Sequence, residues 1–161
     1  MNTGLNSAIG GLGRVAVFRL PPGRDLLKSL VEQAEAYGIS SGIILGGAAS
    51  LQRVTLRNVR SFPNAFPITD ENRSYTDFEG PLELLALSGN ISTRSDGSTH
   101  VHAHVVVSDG SANAYGGHLI DGAPVFTTAE VAVAEVTGVC MKRVHDQHTK
   151  ALELYPEPES F

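Results

Sequence analysis

The chain has 161 residues, a length that suits one hydrophobic core rather than two. Hydrophobic residues make up 42% and charged residues 18%, which excludes an intrinsically disordered chain. Twelve Lys and Arg against seventeen Asp and Glu leave a net charge of -5, so no basic field is available to grip the phosphates of a duplex.

Residues 1–13, rich in Gly, Asn and Ser, read as a flexible arm. Arg14 to Leu20 has the β-branched and aromatic content of a strand, which Pro21-Pro22-Gly23 ends. Asp25 caps a helix whose apolar positions Leu26, Leu27, Leu30, Val31 and Ala34 recur at helical spacing, with Gly38 as its stop. A strand is expected over Ile39 to Leu51, where small residues suit close packing. Residues 61–80, with Pro63, Pro67, Asn64, Asn72 and Gly80, carry turn chemistry and predict a long loop around one or two short strands.

Four further strands are expected at Leu82 to Ser92, Thr99 to Ser108, Ala112 to Ile120 and Val125 to Val136, an antiparallel meander punctuated by Asp-Gly turns. The tail from residue 139 is expected to be helical over Met141 to Tyr155 and to fray from Pro156 to Phe161. The single Cys140 excludes an intramolecular disulfide and a Cys-rich zinc module. No charge precedes Arg14, no apolar run has signal-peptide strength, and Gly42 to Leu51 is too short to cross a bilayer. The expected location is the cytoplasm, with no membrane partner.

The strongest chemical signal is Thr99-His100-Val101-His102-Ala103-His104-Val105. Side chains two apart on a strand share a face, so three imidazoles point one way and the small apolar residues the other. Two such histidines can lean onto one ion, whereas three in a row would be stretched, so a third ligand has to come from elsewhere. His118, in Gly116-Gly117-His118-Leu119, is the donor on the next strand. A three-residue loop at Asp109-Gly110-Ser111 would set His118 across from His102. A two-residue turn would set it opposite Val101, on the wrong face, unless a bulge at Gly116-Gly117 restores the phase.

Three histidines with a fourth position open to water fit a catalytic or ligand-binding zinc better than a closed structural one. His145 and His148 could chelate as an i, i+3 pair, but no third ligand accompanies them. Glu130 and Glu83 are acids within apolar strands, each either a proton-handling group near the histidines or an outward-facing side chain. No G-x-S-x-G elbow, P-loop or dinucleotide fingerprint is present, which leaves nucleotide-dependent chemistry without support.

Gly23-Arg24-Asp25-Leu26, the segment Gly80-Pro81-Leu82-Glu83-Leu84-Leu85, His102-Ala103-His104, Gly116-Gly117-His118-Leu119 and Thr128-Ala129-Glu130-Val131 together resemble the plant and prokaryote conserved (PPC) domain over about residues 14–138. The resemblance implies an α+β fold, one helix packed on a mainly antiparallel sheet, similar to acetolactate decarboxylase, and assembly as a homotrimer. It selects His102, His104 and His118 as ligands of zinc or another divalent transition metal, and leaves His100 to solvent. Glu130 is then the candidate acid/base for hydrolysis or decarboxylation of a small oxygenated ligand. Plant members join the domain to an AT-hook and bacterial ones are often described as DNA-binding. The Arg-Gly-Arg-Pro core of an AT-hook does not occur in this chain, so any transcriptional role is expected to act through protein partners.

Overall fold

The computed structural model describes residues 5–159; residues 1–4 of the expected arm and 160–161 of the expected fraying tail lie outside the described residues. The elements follow as β1 (Gly11–Leu20), α1 (Leu26–Ala36), β2 (Gly42–Val59), β3 (Arg73–Arg94), β4 (Thr99–Ser108), β5 (Ala114–Leu119), β6 (Val125–Thr137), β7 (Val139–His145) and β8 (Leu152–Pro158). The fold is thus mainly antiparallel sheet with one helix, the class expected.

α1 begins where Asp25 Oδ1 accepts from the Lys28 N–H at 3.0 Å, a cap worth about 1 kcal/mol. The other carboxylate oxygen of Asp25 accepts from Gly122 N–H at 2.8 Å and Ala123 N–H at 2.9 Å. One side chain therefore starts the helix and fixes the turn before β6. The face carrying Leu26, Leu30 and Ala34 is buried, and each leucine so removed from water contributes about 2 kcal/mol.

The strands run in the order β1-β6-β2-β5-β4-β3-β7-β8, with an additional β2–β3 pairing. β2, β3, β4 and β5 consequently form a closed circuit of hydrogen-bonded strands around Leu51, Val54, Leu56, Leu82, Ile91 and Val107, all essentially inaccessible. β3, β4 and β5 form three strands of the four-stranded meander expected. β6 then leaves it and crosses back to lie between β2 and β1.

Two segments depart from the sequence reading. β2 and β3 extend well past their expected ends, and Arg53–Val59 pairs with Arg73–Glu79, so the expected loop shrinks to about residues 60–72. The β3 stretch is largely polar with no buried position, which removes the apolar alternation that marks a strand, whereas on β2 the alternation persists only at the buried Val54 and Leu56. The tail expected to be helical instead forms the β7–β8 hairpin, attached to the end of β3 by parallel pairing of Thr93 with Lys142 and Arg94 with Arg143. Val139, Met141 and Arg143 are its buried positions, a period of two rather than 3.6.

Candidate metal centre

On β4 the alternation is unbroken. Val101, Ala103, Val105 and Val107 enter the core, which forces His100, His102 and His104 onto the opposite face. The β4–β5 connection is longer than either loop considered from sequence. Ser108 pairs with Ala114, leaving Asp109 to Asn113 as a five-residue loop. Asp109 accepts from the backbone N–H of Ser111 and of Asn113, which organises this loop, and Ala112 takes up a φ of 64° within it. His118 is thereby set directly across from His104 rather than His102, on the correct face with no bulge required.

The imidazole nitrogens of His102, His104 and His118 come together within 4.8 Å of one another. The Nε2 atoms of His102 and His104 are 3.2 Å apart, close to the roughly 3.3 Å that separates two nitrogens bound tetrahedrally to zinc at about 2.05 Å. The donor set also fits chemically, because neutral imidazoles suit zinc and its neighbours in the transition series. Burial favours the neutral form of His102 and His118. It pushes the His118 pKa down to about 3, reinforced by the Arg57 guanidinium, and lowers that of His102, with Arg143 adding to the effect.

Arg57, across from His118 on β2, donates from Nη2 to His118 Nε2 at 2.7 Å. A guanidinium only donates, so His118 carries its proton on Nδ1 in this arrangement. His100 behaves similarly but stands apart from the trio. Its Nδ1 accepts from Arg94 Nη2 at 2.7 Å, and burial, with Arg143 and Arg94 nearby, lowers its pKa to about 4. It is half-buried and hydrogen-bonded, not a freely solvated side chain.

A cavity of about 410 Å³ lies over the three histidines, walled by Arg57, Asn58, Phe66, Arg73, Thr149 and Glu153 among others. Glu130 is not in it. That residue is exposed on β6, opposite Arg19 and Ala48, on strands that do not border the β4–β5 pair at this point. Glu83 is likewise exposed, between Ser50 and Ser108. The carboxylate that does reach the cavity is Glu153, brought by β8, with Thr149 Oγ1 donating to its Oε1 at 2.9 Å. His145 and His148 are exposed, the latter packed against Phe66 at 5.2 Å, and join no group of three possible ligands among the described residues. Cys140 is a free, half-buried thiol.

Sequence reading missed Arg57, Arg73 and Glu153. Continuing the alternation of Val54 and Leu56 by one residue would have placed Arg57 on the outer face; Glu153 carried no comparable signal, since it depends on the hairpin.

The neutral histidines set a sign for pH dependence. The unfolded chain takes up protons on these rings near pH 6.5, whereas the folded chain does so only near 4 and 3 at His100 and His118. Because the unfolded state then binds more protons, stability of the metal-free protein is expected to fall as pH drops from about 6.5 toward 4. Urea midpoints measured in chelator between pH 7.5 and 5, above the carboxylate range, check this; a flat profile contradicts it.

A single-helix α+β sheet domain carrying a cavity-facing triad of histidines defines the class of protein. The model of the Plants and Prokaryotes Conserved (PCC) domain matches residues 7–137, and the chain belongs to that family, the one its motifs resemble. A metal-containing protein from Archaeoglobus fulgidus superposes with a TM-score of 0.76 at 27% identity, covering 93% of this chain and 99% of its own. A plant- and prokaryote-conserved protein from Pyrococcus horikoshii gives 0.75 at 28% identity, covering 97% and 100%. The bifunctional protein GlmU of Synechococcus sp. (strain JA-3-3Ab) is 35% identical over 144 residues, 89% of this chain but 21% of GlmU. The chain thus spans about a fifth of the length of the curated relatives it matches. Among the described residues, no helix is long and apolar enough to cross a membrane.

Proposed function

We propose that this protein holds a divalent transition metal, zinc in the first instance, on His102, His104 and His118 and binds or transforms a small molecule in the cavity above them. The observation that carries this reading is the convergence of three imidazoles from two paired strands onto one cavity-facing point. The description of the Archaeoglobus fulgidus relative as metal-containing supports it. Three protein ligands leave a coordination position free, and a metal so held lowers the pKa of bound water or polarises a carbonyl, the chemistry of hydrolysis and of decarboxylase-like lyases.

The chain's own residues divide the remaining tasks. Thr149 fixes the Glu153 carboxylate at the cavity wall, where it can accept or return a proton, and Arg57 stands beside His118 as a cation on the same wall. Glu153 therefore takes the acid/base role assigned from sequence to Glu130. Metal analysis of protein purified without a His tag tests the site: the wild type is expected to carry metal, and the His102→Ala, His118→Ala double variant is expected to have lost it. Equal content in both defeats the proposal.

We further propose assembly as a homotrimer, as the family resemblance implies. Val15, Val17, Leu45 and Leu85 are each at least half exposed on β1, β2 and β3, apolar surface that association would cover. Light scattering coupled to sizing is expected to return three times the chain mass, and a monomer at micromolar concentration contradicts it.

A further inference from the structure

The face that carries the histidines also carries more positive charge than the chain's own carboxylates answer. Arg57 bonds to His118 and Arg94 to His100, both neutral rings. Arg143 is only 4% exposed, yet its Nε donates to Ser92 Oγ at 3.1 Å and its Nη2 to Asn90 Oδ1 at 2.8 Å, again neutral partners. None of the three arginines takes part in an ion pair among the described residues. Arg73 adds a fourth cation at the cavity wall, tied at 3.2 Å to Asp70. Against these, Glu153 is the one acid lining the cavity among the described residues.

This imbalance sits in a chain whose net charge is -5, so it is a local arrangement and not a reflection of composition. A guanidinium drawn even partly out of water without a counter-ion is unfavourable, and at the half-buried Arg57 a bound anion is the direct way to offset it.

We propose that the cavity over the three histidines takes a small oxyanion, a carboxylate or a phosphate, with Arg57 as its direct partner. The proposal rests on the reading of the histidines as a metal site. Arg57 now occupies the Nε2 lone pair of His118, which is a lone pair a metal can use. When His118 ligates through that nitrogen, the guanidinium loses its acceptor and is left at the cavity wall with no carboxylate of its own. A planar fork in that position matches two oxygens of a carboxylate or phosphate. Arg94 and Arg143, held by His100, Ser92 and Asn90 outside the cavity lining, supply a positive field but do not touch the ligand.

The test uses the full chain loaded with cobalt(II), whose visible spectrum reports the coordination of the ion, titrated separately with acetate and with inorganic phosphate against sodium chloride at equal ionic strength. A saturable spectral change with acetate, phosphate or both is expected, and which one saturates identifies the oxyanion. Arg57→Met is expected to raise the half-saturating concentration about tenfold or more, and Arg57→Lys by less, because lysine keeps the charge without the fork. A wild type that binds cobalt yet answers neither anion beyond the chloride control overturns this proposal alone. A wild type that gives no cobalt spectrum overturns the metal reading and this inference with it. Arg57→Met responding with wild-type affinity removes Arg57 from the role.

Discussion

Zinc at a concentration a thousand times its dissociation constant is expected to stabilise the wild-type fold by about 4 kcal/mol, which for a domain of this size raises the melting temperature by about 10 °C. The proposed three-histidine site exists only when β4 and β5 are paired, because His104 and His118 face each other across that ladder and the unfolded chain offers no such convergence. If four ligands together supply about 10–16 kcal/mol, one imidazole is worth roughly 2.5–4 kcal/mol, so His118→Ala weakens binding on the order of a hundredfold to a thousandfold. At the same zinc concentration the stabilisation then falls below about 1.5 kcal/mol. Thermal melts of both proteins with and without zinc read this directly, and equal shifts in the two contradict it.

Gly89→Ala is expected to destabilise the protein by about 3 kcal/mol and to abolish metal binding, a larger effect than its single added methyl suggests. Gly89 lies on β3 between Ser88, opposite His104, and Asn90, opposite His102. A Cβ there would collide with the carbonyl oxygen of His102 and come within 2.9 Å of Ala103 Cα, both backbone atoms of the strand that carries the ligands. Neither can move aside as a flexible side chain would, so the β3–β4 ladder has to open where the site is built. Gly110→Ala is the control, since a Cβ at that loop position meets nothing within 4 Å, and it is expected to change stability by less than about 1 kcal/mol. Urea denaturation measures both; a Gly89→Ala variant within about 0.5 kcal/mol of the wild type refutes the argument.

The helix and the histidine strand were legible because each has an undisturbed period and a clear boundary. Asp25 and Gly38 bracket α1, and on β4 every second residue is small and apolar from Val101 to Val107. The same logic brought His118 to the correct face but not to the correct partner, since register depends on loop length and the Asp109 side chain organises five residues where three or two were considered. The outer half of β3 was not legible as strand. None of its residues from Arg73 to Glu79 is buried, although they pair with a stretch of β2 that buries Val54 and Leu56, so turn-forming residues nearby dominated the pattern.

The C-terminal hairpin was hidden by Arg143. A charged residue at a buried strand position breaks the apolar alternation begun by Val139 and Met141, and its burial makes sense only with Ser92 and Asn90 beneath it. Glu153 followed the hairpin into obscurity. Glu130, conspicuous among apolar neighbours, owes that pattern to an outward position on β6, whereas the less conspicuous acid lies where the chemistry would be.

The measurement that bears most directly on the central claim is a crystal structure of the zinc-replete protein. The expected result is one ion bound to imidazole nitrogens of His102, His104 and His118 at about 2.0–2.1 Å, with water or a small oxyanion in the remaining position facing the cavity. An ion held elsewhere, or a protein side chain closing the fourth position, would contradict an open, ligand-binding metal centre.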